Sequence, residues 1–447
     1  ETSLVHNCFL SSSCFLGVNL IYKKTYNGKR ISYSSIPFIF AWRKKQKIGN
    51  NLQKNDYQYT EKARIPEQNT QRMAGLYIHV PFCQKRCLYC DFYSNTDMGY
   101  KEAYLSALIR EMELRKNYLE GETLETIYFG GGTPSQLSVE NLNQLFEAIY
   151  RNFPVNQDME ITLEANPDDM TPAYVAALRS LPVNRISMGV QSFDAADLKF
   201  LNRRHDREEA LRAVRLCQEH DLYNISIDLI YGLPGQTPEK WQKNLDEVLR
   251  LDIPHISAYH LIYEEGTALY RLLEAGKITA VDEDTSLTLF TLLIENLAAA
   301  GYQHYEISNF ARPGWYARHN SSYWKGKKYL GLGPSAHSYN GTEREWNVAS
   351  LPEWIKGIRT GKPALENEQL DENTRYNEYI MTHLRTMWGI DLNELSEKFG
   401  EKKLKYCLNL AQTYEKRHLL LQKDGKLTLT KEGIFVSDGI MSDLLWV

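Results

Sequence analysis

Between Gly75 and Pro363, short apolar runs alternate with longer stretches in which apolar residues recur every three or four positions, the periods of strand and amphipathic helix. The runs predict strands near 76–80, 125–129, 159–164, 185–190, 225–230 and 255–262, with a further extended run at 303–308. The stretches between them predict helices with marked ends. Thr171-Pro172 and Thr237-Pro238 each set a capping hydroxyl before a proline at the first helical position. Asp206 with Glu209 reads as a capping box, and Gly301 closes a long apolar helix over 284–300. Such alternation is the signature of βα units on a parallel sheet. The fold class is therefore α/β, and six units suggest a partial, open (β/α)6 barrel, whose chemistry gathers at the C-terminal ends of the strands.

Beyond about Pro363 the alternation stops. Helices are predicted near 372–388, 391–399 and 401–416, then two short runs, Leu419–Gln422 and Leu427–Thr430, around the turn Asp424-Gly425. Three helices and a hairpin look like a winged-helix module, so 366–447 is expected to be a C-terminal winged-helix-like domain and 73–365 the barrel. Residues 1–72 show no clear period and no apolar run long enough to span a membrane. Met73, directly before the first strand, is taken as the natural start, and residues 1–72 as a disordered or spurious N-terminal extension. A basic, acid-poor leader is also the composition of an organellar transit peptide, although Lys outnumbers Arg here.

Composition adds two constraints. The 447 residues are 43% hydrophobic, enough for one large core and a second small one. The formal charge of −4 is unevenly spread: residues 1–72 hold 12 Lys and Arg against 4 Asp and Glu, which leaves 40 against 52 for the rest. An acidic body lacks the clustered Lys and Arg on which phosphate backbones are bound, which argues against nucleic acid as a partner. The winged-helix segment, mixed in charge with no basic stripe, reads instead as a lid or docking domain. Seven cysteines in so long a chain make no disulfide scaffold and point to a reducing cytosol, hence a cytoplasmic location. Cys217 and Cys407 fall in helical patterns and read as buried thiols.

The first strand runs into LYIHVPFCQKRCLYCDF, residues 76–92, where Cys83, Cys87 and Cys90 are spaced C-x3-C-x2-C. Soft thiolates select iron–sulfur or zinc. A structural zinc site closes on four ligands, and no second pair of Cys or Cys and His at finger spacing occurs. Three thiolates on a tight loop therefore suit three corners of a [4Fe–4S] cube. The spacing after a barrel-type strand resembles the radical S-adenosylmethionine (SAM) enzymes. HVPFC with CLYCDF is similar to the branch that holds the oxygen-independent coproporphyrinogen III oxidases and the HemW-type haem chaperones. The resemblance covers roughly Gly75 to Val447. It implies that the methionine end of SAM chelates the fourth iron, and that an electron from the cluster, drawn from an external donor, cleaves the sulfonium to a deoxyadenosyl radical.

The motifs that follow carry the same resemblance. Gly130-Gly131-Gly132-Thr133-Pro134 follows the second strand; three glycines form a turn or let main chain come close to a ligand, and the family's loop here meets SAM's amino group. Glu164 in LEANP and Gln191 in GVQSF end the third and fourth strands, where they can hydrogen-bond a ligand. With Tyr77, Tyr89, Gly131, Gly132, Thr133, Arg203 and Asp228 they match the family's SAM contacts. No catalytic residue is assigned.

Two features choose between branches. Oxidases carry a further cysteine two positions after the third, where this chain has Phe92, and their ordered N-terminal arm has no counterpart here. His319-Asn320-Ser321-Ser322-Tyr323-Trp324 resembles the H-N-x-x-Y-W motif of the haem-binding group. That resemblance implies His319 as an axial ligand to haem iron, with Tyr323 and Trp324 against the porphyrin face. Gly331, Gly333 and His337 resemble the loop that follows it. The expectation is a HemW-like haem chaperone that binds haem, a [4Fe–4S] cluster and exchangeable SAM, and passes haem to an acceptor protein. A coproporphyrinogen III oxidase is the alternative, and a radical SAM RNA-modifying enzyme a remote one.

Overall fold

Strand β1 (Met73–Val80) opens the part of the chain that the computed structural model describes, residues 73–447. The expectations placed on residues 1–72 lie outside it. β1 is followed by β2 (Thr123–Gly131), β3 (Val155–Ala165), β4 (Arg185–Gln191), β5 (Ile225–Tyr231) and β6 (His255–His260), paired in that order and all parallel. β5 is buried along its whole length and β1 from Ala74 on. Helices cover the outer face, so these strands read as nearly continuous apolar runs. The predicted helix ends are in place: Tyr174 N donates to Thr171 Oγ1, Asp206 and Glu209 cap one another, and Gly301 takes φ 84° beyond the helix Glu283–Ala299. β3 starts four residues before the expected 159, because its first turn of sequence, Val-Asn-Gln-Asp, is polar and half exposed.

The extended run expected at 303–308 is two strands. β7 (Gln303–Glu306) turns back into β8 (Asn309–Ala311), which pairs antiparallel with β6. Glu306 makes the turn: its Oε2 accepts from Ser308 N at 3.1 Å and Asn309 Nδ2 at 2.6 Å. On the other side of β1 the sheet continues where no strand was expected. β9 (Tyr329–Leu332) lies parallel to β1, and β10 (His337–Tyr339), β11 (Glu343–Asn347) and β12 (Leu365–Gln369) follow antiparallel. The sheet is thus mixed and runs β12-β11-β10-β9-β1-β2-β3-β4-β5-β6-β8-β7.

The C-terminal segment has its own core around Tyr376, Ile380, Leu384, Leu395, Cys407 and Leu427. The helix expected over 372–388 ends at Leu384, and the pair expected at 391–399 and 401–416 is Leu392–Glu415, kinked at Gly400 with φ 80°. β13 (Ile390–Asp391), β14 (Leu420–Lys423) and β15 (Lys426–Leu429) form a small sheet in the order β13-β15-β14, and two short helices, Lys431–Ile434 and Ser437–Leu444, close the chain. Cys217 and Cys407 are fully buried, and burial pushes their thiols up to about 12 and about 11. No helix among the described residues is long and apolar enough to cross a membrane.

Candidate functional site

The cysteine loop is pinned by main-chain hydrogen bonds before any ligand is considered. Asn95 N donates to Pro81 O at 2.6 Å, Cys83 N to Asn95 O at 3.0 Å, Leu88 N to Leu201 O at 3.3 Å, and Leu269 N to Leu88 O at 2.9 Å. The parallel register sets Val80 beside Gly131, so the loops after β1 and β2 leave the sheet together. Their packing explains the glycines. A Cβ on Gly131, at φ 109°, would sit 2.6 Å from the His79 ring, and one on Gly132 would sit 2.8 Å from the Pro81 carbonyl carbon. The close approach is thus to the chain's own first motif. Gly132→Ala should push Pro81 and Phe82 outward, cost about 1–3 kcal/mol by overpacking, and lower the iron retained after reconstitution. Unchanged melting and iron content would show that the loop has room to spare.

Around this loop the C-terminal strand ends bring distant residues together. Register places Glu164 beside Ser187 and Gly189 beside Asp228, and a bulge after Gly189 carries Gln191 into φ 69°. Such a conformation costs a non-glycine residue energy and is held by its surroundings. Cys83, Cys87, Cys90, Tyr89, Gly131, Gly132, Thr133, Glu164, Gln191, Arg203 and Asp228 all line one cavity. Tyr77 does not. It lies beneath, its hydroxyl 3.1 Å from His79 Nδ1 and its ring beside the stacked pair of Tyr128 and His319, 6.1 and 6.5 Å from them. Asn166, Ser187 and Tyr259 line the cavity too and were not singled out in the sequence, although their place at strand ends was a usable signal.

The donor set fits a cationic cluster with a cationic cofactor. Thr133 Oγ1 lies 3.4 Å from Cys83 Sγ, and Arg203 Nη1 donates to Cys87 Sγ at 3.3 Å. Burial pushes the Cys83 thiol up and the Cys90 thiol to about 12, so only a bound cation would hold them as thiolates. Asp228 is pushed up to about 6 by burial, partly offset by Ser257 and Arg185. Its buried Oδ1 and Arg203 Nε have no hydrogen-bond partner, which leaves one acceptor and one donor for a ligand. Glu164 accepts from the Tyr128 hydroxyl at 2.7 Å and from Gly131 N at 3.2 Å. Among the described residues no three His, Cys, Asp or Glu side chains gather closely enough for a single metal ion. A cube that takes one thiolate on each of three irons spaces its ligands more widely.

The His319 motif forms a helix, Arg318–Trp324. His319 is fully buried: Nδ1 is 2.8 Å from Thr126 Oγ1, Nε2 is 2.7 Å from the Tyr323 hydroxyl, and its ring stacks on Tyr128 at 4.9 Å. Burial, with Arg185 near, pushes the imidazole down to about 3, so it is neutral at pH 7. Tyr323 and Trp324 reach a second cavity, of about 330 Å³, which His319 does not line. Tyr329 and Tyr339 continue that wall, and Arg375, Tyr379, His383, Arg385, Lys398 and Phe399 of the C-terminal segment form the opposite one. Gly331 and Gly333 let β9 pass against His337 and His79 main chain and line neither cavity.

Comparison with known proteins places two segments of the chain in known families. Residues 77–248 match the radical SAM superfamily and residues 370–436 the HemN C-terminal domain. The heme chaperone HemW of Mycobacterium tuberculosis is 35% identical over 377 residues, 83% of this chain and 94% of the relative. The mitochondrial radical S-adenosyl methionine domain-containing protein 1 of Bos taurus is 33% identical over 85% of this chain and 89% of its own. The solved structure of the coproporphyrinogen III oxidase HemN from Escherichia coli, described as a radical SAM enzyme, superimposes with a TM-score of 0.73 at 25% identity, covering 84% and 90% of the two chains.

Proposed function

The chain belongs to the HemW family of the radical SAM superfamily, and from that premise we propose that it is a haem chaperone, which binds haem beside a SAM–cluster centre and passes it to an acceptor protein. Cys83, Cys87 and Cys90 would hold a [4Fe–4S] cluster, and the residues around Glu164, Gln191, Arg203 and Asp228 would orient SAM on its open iron. When bound, and given an electron donor, that pair supplies reductive cleavage of a sulfonium. Thr133 and Arg203 hold the cysteine sulfurs in place, and Arg203 is fixed in turn by Asn166 Oδ1 at 2.8 Å. Tyr77 lies behind the site and braces His79 and Tyr128.

The observation that carries the reading is where the motif helix points. Tyr323 and Trp324 offer flat apolar faces to a cavity flanked by arginines, a surface suited to a macrocycle with carboxylate arms. His319 as the iron ligand, the role its motif suggests, would require Tyr323 to leave Nε2 and the ring to come out of burial. The segment 366–447, read as a winged-helix-like module following a partial barrel of 73–365, closes the cavity from the other side. A cytosolic place belongs to this reading, on the strength of the reduced cysteines.

A specific observation favours a second reading, oxygen-independent coproporphyrinogen III oxidase, because the chain superimposes on such an enzyme over most of its length. Phe92 counts against it. It lines the cluster cavity at the position where that branch has a further cysteine. The test is anaerobic. Reconstituted protein given coproporphyrinogen III, SAM and a reductant should form no product above a control without protein, and should take up about one haem per chain. Sustained turnover without saturable haem uptake would reverse the choice.

A further inference from the structure

The 330 Å³ cavity between the motif helix and the C-terminal segment holds a second histidine whose chemistry differs from that of His319. Arg375, Tyr379 and His383 lie four residues apart on the helix Glu372–Leu384 and so form one stripe along it, all three on the cavity wall. His383 is held as a preset ligand. Its ring stacks on Tyr379 at 3.8 Å, and Nδ1 lies 3.0 Å from Tyr379 O and 3.1 Å from Thr382 Oγ1. A carbonyl can only accept, and the Thr382 hydroxyl already donates to Glu378 O at 2.7 Å, so the proton sits on Nδ1. Nε2 keeps a lone pair, and no group among the described residues hydrogen-bonds to it. A backbone carbonyl on one ring nitrogen and an open lone pair on the other is the arrangement of metal-ligating histidines. In His319 both nitrogens are taken.

The rest of the stripe suits the rest of a haem. Arg375 pairs with no carboxylate among the described residues, and its buried Nε has no partner. Two turns separate it from His383, about 12 Å of helix, a span from iron at the macrocycle's centre to propionates at its edge once the long Arg side chain is counted. Tyr323 and Trp324 supply the facing wall. The volume is at the lower end of the roughly 300–1,000 Å³ of ligand clefts, so a tetrapyrrole would keep one edge in solvent, as cargo destined for transfer needs.

We propose that His383 Nε2 ligates the haem iron in this cavity and that Arg375 receives a propionate, with His319 acting as a positioning residue that holds Tyr323. This rests on the haem-chaperone reading and names its ligand. The test is titration of the full reconstituted chain with ferric haem, read by the Soret band. His383→Ala should shift the band, and free imidazole, filling the vacated space, should restore it. His319→Ala should keep the band position of the unaltered protein. Arg375→Gln should weaken haem binding about tenfold, the value of one charge-assisted hydrogen bond, and leave the affinity for the dimethyl ester of haem unchanged. A band lost in His319→Ala and kept in His383→Ala would overturn the assignment but leave the chaperone standing, and failure of imidazole to restore His383→Ala would also count against it. No saturable haem uptake by the unaltered protein would remove the chaperone reading itself.

Discussion

Serine in place of Cys83, Cys87 or Cys90, one at a time, should abolish the brown chromophore of the reconstituted protein, which otherwise should carry about four iron and four sulfide. The expectation is all-or-none because the geometry offers no substitute. Thr133 and Arg203 touch the sulfurs but are poor iron ligands, and among the described residues no other Cys, His, Asp or Glu joins the three to make a metal site. On the proposed reading SAM affinity should fall with the cluster, since the open iron is its anchor and Glu164 is already engaged by Tyr128 and Gly131 N. Cys217→Ser and Cys407→Ser make the control. Both thiols are fully buried in helices away from the loop, so these variants should lose some stability and keep all four irons. Iron and sulfide analysis with absorption spectra decides it. Full cluster retention in any one of the three loop variants would remove that cysteine from the ligand set.

The loop was legible in the sequence because its signal is local. Three cysteines within eight residues, a glycine run one unit later and acid or amide residues closing successive strands are patterns that survive without knowledge of what lies across the sheet. The capped helices at Thr171, Asp206 and Thr237 were legible for the same reason. β9 was not. Tyr-Leu-Gly-Leu is too short and too glycine-rich to announce a strand, and it becomes one by pairing with β1, some 250 residues earlier in the chain. The motif around His319 was recognisable as a pattern, yet its surroundings were hidden. Thr126, which takes Nδ1, and Tyr128, which stacks on the ring, come from β2. No periodicity links the two segments. His383 was missed altogether, because a histidine on an amphipathic helix carries no spacing signal and is marked only by the carbonyl on one of its nitrogens and the cavity in front of it.

One chain of contacts joins the two cavities. Glu164, in the cavity of the cysteine loop, accepts from Tyr128; Tyr128 stacks on His319; His319 Nε2 meets the hydroxyl of Tyr323, on the wall of the second cavity. His319→Ala cuts this chain without touching a wall of either cavity, which is why the band position in that variant separates a positioning role from ligation.

The wall of the second cavity depends in turn on a buried ion pair, and breaking it should have the largest effect on stability. Arg385 Nε and Nη2 both donate to Glu306 Oε1, at 2.8 and 2.6 Å, while Glu306 Oε2 is taken by Ser308 N and Asn309 Nδ2. The guanidinium lies over the Trp324 ring at 4.5 Å. Three pieces meet there: the β7–β8 turn, the motif helix and the C-terminal segment. Glu306 is 1% and Arg385 6% exposed, so removing either partner strands a charge in a low-dielectric place, which costs about 3–5 kcal/mol. Arg385→Ala should therefore lower the unfolding free energy by that amount, and Trp324, deprived of its cation, should report the change in fluorescence at lower denaturant. Replacing the pair by Glu306→Leu with Arg385→Met removes both charges at similar volume and should recover much of the loss, although the β7–β8 turn gives up the two bonds Glu306 makes to it. Denaturant unfolding of the two single variants and the double variant measures the coupling directly. Single variants that lose less than about 1 kcal/mol, in the range of an exposed pair, would show that water reaches this contact.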